Sequence, residues 1–190
     1  MPGDSERLAR WITEASTPTA VLSLLLIAIG WQAPSGLLWG TVAALFCGVL
    51  PHVGIVWGVR SNRWTDRHVT VRRERVVPLL FSLASVAAGV AVLSAAPGVP
   101  ANLLAVTRIV LTGAIVVFLV SLAWKISIHT SVASSVVVIT AVTFGGLWLL
   151  SGVLVVVIAW SRVRLCQHTL GQTVGGAIVG TTLSVLLLPV

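Results

Sequence analysis

Charge is scarce in this chain, and acidic charge scarcer still. Asp, Glu, Lys and Arg make up 9% of the 190 residues, whereas 57% are hydrophobic and the mean hydropathy is +1.05. That leaves too little polar surface to coat a soluble sphere, so the composition is that of an integral membrane protein. Five acidic residues against twelve basic ones give a formal charge of +7. In a soluble domain such an excess would point to nucleic acid. Here the basic residues fall between apolar runs instead of along one amphipathic face, which makes the bilayer the partner and argues against nucleic acid. Cysteine is limited to Cys47 and Cys166, which have neither paired metal-ligand spacing nor a loop framework to staple. Both are expected as free thiols, and no metal or cofactor is expected. Neither half of the sequence clearly repeats the other, and few charges interrupt the apolar runs, which disfavours a solute pathway. The N-terminal stretch mixes Asp4, Glu6 and Glu14 with Arg7 and Arg10. It lacks the purely basic start of a secretory signal, so the first apolar run should stay in the mature protein.

What the chain does have is long apolar runs. Seven are bounded by charges, prolines and glycines, at about 18–32, 36–58, 77–95, 101–124, 130–144, 147–161 and 172–189. The expected fold is all-α, a polytopic membrane helix bundle of about six to seven transmembrane helices in a single domain over residues 1–190, with residues 1–17 as an interfacial segment. If every run spans, the N-terminus, the Arg60 to Arg75 loop, Lys125 to His129 and Ser161 to His168 share one face. Trp57, Trp124 and Trp160 then mark that boundary, and Trp31, Trp39 and Trp148 the opposite one. The runs 130–144 and 147–161 offer only about 22 Å of helix against a hydrocarbon core of about 30 Å, so polar residues at their ends could sit below the membrane surface. All Lys and Arg except Arg108 lie on the shared face. The positive-inside rule makes that face cytoplasmic, in a plasma or cytoplasmic membrane. Arg108 either snorkels to the opposite boundary or lines the bundle.

Three polar clusters on the shared face carry the chemistry. Ser161-Arg162, five residues, then His168 brings a hydroxyl, a fixed cation and a nitrogen nucleophile to one stretch, as a phosphate-cleaving site requires. Lys125, Ser127 and His129 precede the fifth run, where helix N-terminal amides favour an anion and a histidine can protonate a leaving oxygen. Asp66, Arg67, His68, Arg72, Arg73, Glu74 and Arg75 fill a loop suited to acidic headgroups or a phosphorylated substrate. Taken singly, a basic cluster at a membrane face is commonly a topology determinant and a lone interfacial histidine commonly bonds water or backbone. Their joint placement favours a site.

These residues resemble, over roughly 60–190, the type 2 phosphatidic acid phosphatase superfamily of integral membrane lipid phosphatases. Its signatures run Lys, six residues, Arg-Pro; then Pro-Ser-Gly-His; then Ser-Arg, five residues, His, three residues, Asp. The third is represented by Ser161-Arg162, His168 and Gln172, the second by Ile126-Ser127-Ile128-His129, and the first by His68, six residues, Arg75-Val76. The resemblance implies that His168 attacks phosphorus to form a phosphohistidine and that His129 protonates the departing lipid alcohol. Arg75, Ser127 and Arg162, with His68 and Lys125 nearby, would hold the phosphoryl oxygens, without metal.

The departures matter. His68 stands for lysine and would bind phosphate as imidazolium, with a pH dependence near neutrality that lysine lacks. Val76, Ile126 and Ile128 stand for Pro, Pro and Gly, altering loop stiffness without removing a reactive group. Gln172 stands for the Asp that orients the nucleophilic histidine; its carbonyl can orient the ring but supplies no negative charge. The expected activity is hydrolysis of a phosphomonoester or diphosphate on a lipid. A polyprenyl (di)phosphate is the leaning, since no large extramembrane domain reads a headgroup, and a phosphatidic acid-like lipid is the other candidate. The alternative, motivated by Gln172, is a catalytically degenerate membrane protein that binds anionic lipid or acts as an assembly partner. His52 is expected to pack within the bundle, and the glycines Gly171, Gly175, Gly176 and Gly180 to allow close helix contact.

Overall fold

A computed structural model of the chain describes residues 3–61 and 76–188. Among them are nine α-helices and no strand: α1 (Asp4–Ala15), α2 (Pro18–Trp31), α3 (Gly36–Ala44), α4 (Leu50–Arg60), α5 (Val76–Ala95), α6 (Ala101–Ala123), α7 (Ile128–Phe144), α8 (Gly152–Arg164) and α9 (Leu170–Leu187). A π-helical turn, Leu45–Val49, joins α3 to α4, and a 3-10 turn, Gly146–Ser151, leads into α8. All seven apolar runs are helical, but not all are long enough to cross a bilayer. Five helices among the described residues are: Gly36–Arg60, α5, α6, Gly146–Arg164 and α9. The total reaches six if α1 and α2, bent at the break before Pro18, count as one span. α7 has 17 residues, about 25 Å of helix. By these lengths the chain is a helical membrane protein. The described residues form two compact units, one of Met1–Val21 with Lys125–Val190 and one of Leu22–Trp124.

The unit Leu22–Trp124 has an apolar interior of Leu25, Leu26, Ile29, Ala43, Leu93, Leu103, Val106 and Ile109. Glycine sets how its helices meet. A Cβ on Gly30 or Gly36 would strike the other residue's carbonyl oxygen, so α2 and α3 touch backbone to backbone across a turn closed by Ser35 at φ 59°. The π turn has an identifiable cause. Leu50 N–H reaches back to the Leu45 carbonyl, and the Phe46 carbonyl is taken by Ser85 Oγ of α5 at 2.7 Å. Pro51, two residues beyond the turn, has no N–H with which to restore the ordinary ladder. Pro51 takes the buried position and leaves His52 exposed, contrary to the packing role expected for it. Arg108 is exposed on α6, as a snorkelling side chain requires. Cys47 is buried and Cys166 exposed, and both are free thiols.

The other unit is built from α1, α7, α8 and α9. Gly176 and Gly180, one turn apart on α9, face α7: a Cβ on Gly176 would collide with Ser127 O and Thr130 Oγ1, and one on Gly180 with Ser131 O and Ser134 Oγ. Close approach lets hydroxyls cross the interface. Thr130 Oγ1 donates to Thr173 O at 2.8 Å, Ser134 Oγ donates to Ala177 O at 2.9 Å, and the Ser135 and Ser184 hydroxyls bond each other. Without a hydrophobic driving force between helices in lipid, such contacts hold the pair, each contributing on the order of 0.6 kcal/mol. Helix α1 lies on α8 through the buried Ala9 and Thr13. Its opposite face exposes Leu8 and Trp11, the pattern of an interfacial helix.

Candidate functional site

The spacing Ser-Arg-x5-His follows from how α8 ends. Cys166 adopts a left-handed conformation, φ 54°. Its N–H donates to Val163 O at 2.9 Å, while Gln167 N–H donates to Arg162 O at 3.0 Å. This is a Schellman C-cap with cysteine where glycine is usual. The turn folds the chain back so that His168 N–H also reaches Arg162 O, at 3.3 Å. Arginine and histidine, six positions apart, are thereby fixed on one backbone carbonyl. Both side chains are buried, Arg162 at 1% and His168 at 7% exposure.

Helix α9 begins immediately beyond. Thr169 is its N-cap, with a reciprocal capping box: Thr169 Oγ1 accepts from Gln172 N–H at 3.3 Å, and Gln172 Oε1 accepts from Thr169 N–H at 3.2 Å. The same Gln172 oxygen lies 3.1 Å from His168 Nδ1. Gln172 thus contacts the His168 ring as well as capping the helix.

The second cluster joins the third at this end. Ser127 N–H donates to the backbone carbonyl of Gln172 at 3.2 Å, so the start of α7 is tied to the first turn of α9. Ser127 is the N-cap of α7, yet its side chain makes no cap bond. Its Oγ is fully buried and bonds no other described residue. His129 is buried in the first turn of α7, and Lys125 is half-buried just before it. Two helix N-termini, each equivalent to about half a positive charge, therefore meet at one end of this unit, where Arg162 and His168 are also buried. Such an arrangement attracts an oxyanion.

Ser161 has a different task from the one its position in the sequence suggests. Its hydroxyl donates to Ile158 O at 2.8 Å, which uses its single proton. The contact at 3.1 Å with Thr13 Oγ1 is then a bond donated by Thr13. Arg164, exposed beside it, reaches Ser5 Oγ through Nη2 at 3.0 Å. Ser161 and Arg164 therefore hold α1, and Arg162 faces inward. His68 and Arg75, with Asp66, Arg67 and Glu74, lie outside the described residues. Thr13 and the turn formed by Cys166 escaped the sequence reading, as did the cap of α9, although Thr169-x-x-Gln172 carries the Ser/Thr-x-x-Glu/Gln capping signature that would have found it. Among the described residues no three of His, Cys, Asp and Glu come together as metal ligands would. Compared with family models, curated proteins and solved structures, the chain finds no match.

Proposed function

We propose that this chain is a membrane lipid phosphatase, a divergent relative of the type 2 phosphatidic acid phosphatases. Its substrate is a phosphomonoester or diphosphate on a lipid, with polyprenyl (di)phosphates and phosphatidic acid-like lipids as the two classes. The observation that carries this reading is the Ser127 hydroxyl, buried at the N-terminus of α7 and bonded to no other described residue. His129 follows two residues later, and the Ser127 backbone is linked through Gln172 to His168. A buried hydroxyl without a partner costs about 1–3 kcal/mol, and a phosphoryl oxygen would repay that cost.

In this mechanism the His168 Nε2 lone pair forms a bond to phosphorus as the bond from phosphorus to the lipid oxygen breaks, and that oxygen takes a proton from His129. Water, giving one proton to His129, then attacks phosphorus as the N–P bond breaks, releasing inorganic phosphate and restoring both His168 and His129. Arg162, Ser127 and the α7 amides hold the equatorial oxygens, where charge accumulates. Lys125 adds charge at the mouth, and His68 and Arg75 would complete the oxyanion set. The basic loops favour a cytoplasmic site in the plasma or cytoplasmic membrane. One observation favours a second reading. Gln172 offers the His168 ring no negative charge, as expected of a protein that keeps an anionic-lipid site and has lost turnover.

The test is phosphate release by purified protein in lipid nanodiscs, with prenyl phosphates, prenyl diphosphates and phosphatidic acid, in EDTA, from pH 5 to 8. Turnover that survives chelation and vanishes in a folded His168→Ala variant supports the phosphatase and names its substrate. No turnover, with lipid phosphate still bound, supports the binding protein.

A further inference from the structure

We infer that Thr13 is a positioning residue for Arg162: α1 clasps the last turn of α8 and so sets where the arginine stands. The consequence for phosphate rests on the phosphatase reading, whereas the clasp rests on geometry alone. Helix α1 lies outside residues 60–190, so the family resemblance assigns it no part. Thr13 is 1% exposed, and Ala9, one turn earlier, is fully buried. A threonine within a helix commonly turns its hydroxyl back on the carbonyl four residues before it, as Thr41, Thr107, Thr112 and Thr140 do here. Thr13 instead bonds across to Ser161 Oγ at 3.1 Å. Three positions beyond Ser161, Arg164 reaches Ser5 Oγ through Nε at 3.3 Å and Nη2 at 3.0 Å. Positions 161 and 164 share a face of α8. Two points on α1, about two turns apart, therefore grip that face.

Arg162 stands between the gripped positions in sequence. Its carbonyl accepts both Gln167 N–H and His168 N–H, so the last turn of α8 carries the arginine and, through the Schellman turn, the histidine. Helix ends are where the hydrogen-bond ladder opens most readily. Here one of the last rungs is Leu165 N–H on Ser161 O at 3.1 Å, and Ser161 is the residue that α1 holds. Packing of α1 by itself would be met by Ala9 and a valine at position 13. The hydroxyl bond to Ser161 is what a clasp requires in addition. An interhelical bond of this kind is equivalent to roughly a threefold change in the opening equilibrium, and to about 20-fold at most.

The experiment is amide hydrogen exchange of the full chain in nanodiscs, read by mass spectrometry at residues 165–168 and, as a reference, at 176–184 of α9. Thr13→Val keeps the shape and removes the hydroxyl. It should speed exchange at 165–168 by about 3- to 20-fold and leave 176–184 unchanged, and Thr13→Ser should restore the wild-type rates. Ser161→Ala should give the same acceleration, to which Thr13→Val adds nothing. With inorganic phosphate as the probe, Kd should rise, and kcat/KM on a lipid phosphate should fall, by that same factor in Thr13→Val but not in Thr13→Ser. Unchanged exchange at 165–168 in Thr13→Val overturns the inference, and so does an equal rise at 176–184, because α1 would then only pack against the unit. Faster exchange with phosphate affinity and turnover unaltered overturns the positioning role. If Thr13→Val does not fold, the rates of Ser161→Ala decide. Exchange needs neither ligand nor turnover, so a wild-type protein that neither binds nor hydrolyses phosphate would refute the phosphatase and leave the clasp standing.

Discussion

The two compact units differ in how many polar side chains they bury among their apolar ones. In Leu22–Trp124 the interior is leucine, isoleucine, valine and alanine, and the buried hydroxyls among its described residues are Thr107 and Ser121. In the unit made of α1, α7, α8 and α9, the fully or nearly buried residues include Thr13, Ser127, His129, Thr130, Ser131, Ser134, Ser161, Arg162, His168, Thr173 and Ser184. Both also expose large apolar side chains, such as Leu24 and Phe81 in the first and Leu154 and Ile178 in the second. The spans of the first unit are also the more apolar, with mean hydropathies of 2.0, 2.4 and 2.5 against 1.9 and 1.5. The difference has a cost. Burying hydroxyls, two imidazoles and a guanidinium away from water is expensive in a membrane protein, and polar groups kept there mark a functional interior. Most of the hydroxyls are accounted for by helix packing; Ser127 in this unit and Ser121 in the other are not.

The contrast can be broken most sharply by removing one large side chain from each interior. His168→Ala should abolish turnover, whereas Leu26→Ala should cost about 2 kcal/mol of stability and leave kcat of the folded protein within about twofold. A similar loss of kcat in both, measured in nanodiscs with folded fraction determined in parallel, would erase the distinction between site and scaffold. His129→Asn should reduce kcat by about 10²–10⁴-fold on a lipid alkyl phosphate. On a nitrophenyl phosphate, whose leaving group needs no proton, the loss should be far smaller, and equal losses on both would remove His129 as the acid.

Packing gives a third comparison. Gly180→Leu would push side-chain atoms into the Ser131 carbonyl of α7 and should destabilise its unit by about 3 kcal/mol or more, beyond ordinary overpacking. Gly54→Ala in the other unit meets first the half-exposed Phe81 ring, a side chain that can shift, and should cost about 1 kcal/mol. Thermal unfolding in detergent ranks the two. The smallest effect, with opposite sign, is expected at Cys166. Glycine tolerates its left-handed conformation where other residues pay about 1 kcal/mol, so Cys166→Gly should raise stability by up to that amount without altering activity. A loss of stability would mean that the cysteine side chain has a role of its own.

The helical runs were legible because each is a long apolar stretch bounded by charge, proline or glycine, and the order of the second and third clusters was legible as spacing. The small residues on α9 also announced close packing, and Gly176 and Gly180 provide it. Other features depend on partners far away in sequence. Nothing in Ser161-Arg162 says that the serine is claimed by Thr13, 148 positions earlier, leaving the arginine alone to face the site. The turn at Cys166 was hidden because cysteine is a rare occupant of a position that glycine would have advertised. His52 was misjudged for a local reason, since the π turn beside Pro51 shifts which residue faces inward.

The most direct test of the central claim, that this polar interior carries out phosphoryl transfer through His168, is to trap the intermediate. Protein in nanodiscs would be mixed for milliseconds with a lipid carrying phosphorus-32, quenched in alkali, where phosphohistidine survives, and digested for mass spectrometry. The account predicts label on His168, absent from His168→Ala and chased off by unlabelled substrate at the rate of turnover. Turnover without label, or label on another residue, would contradict it.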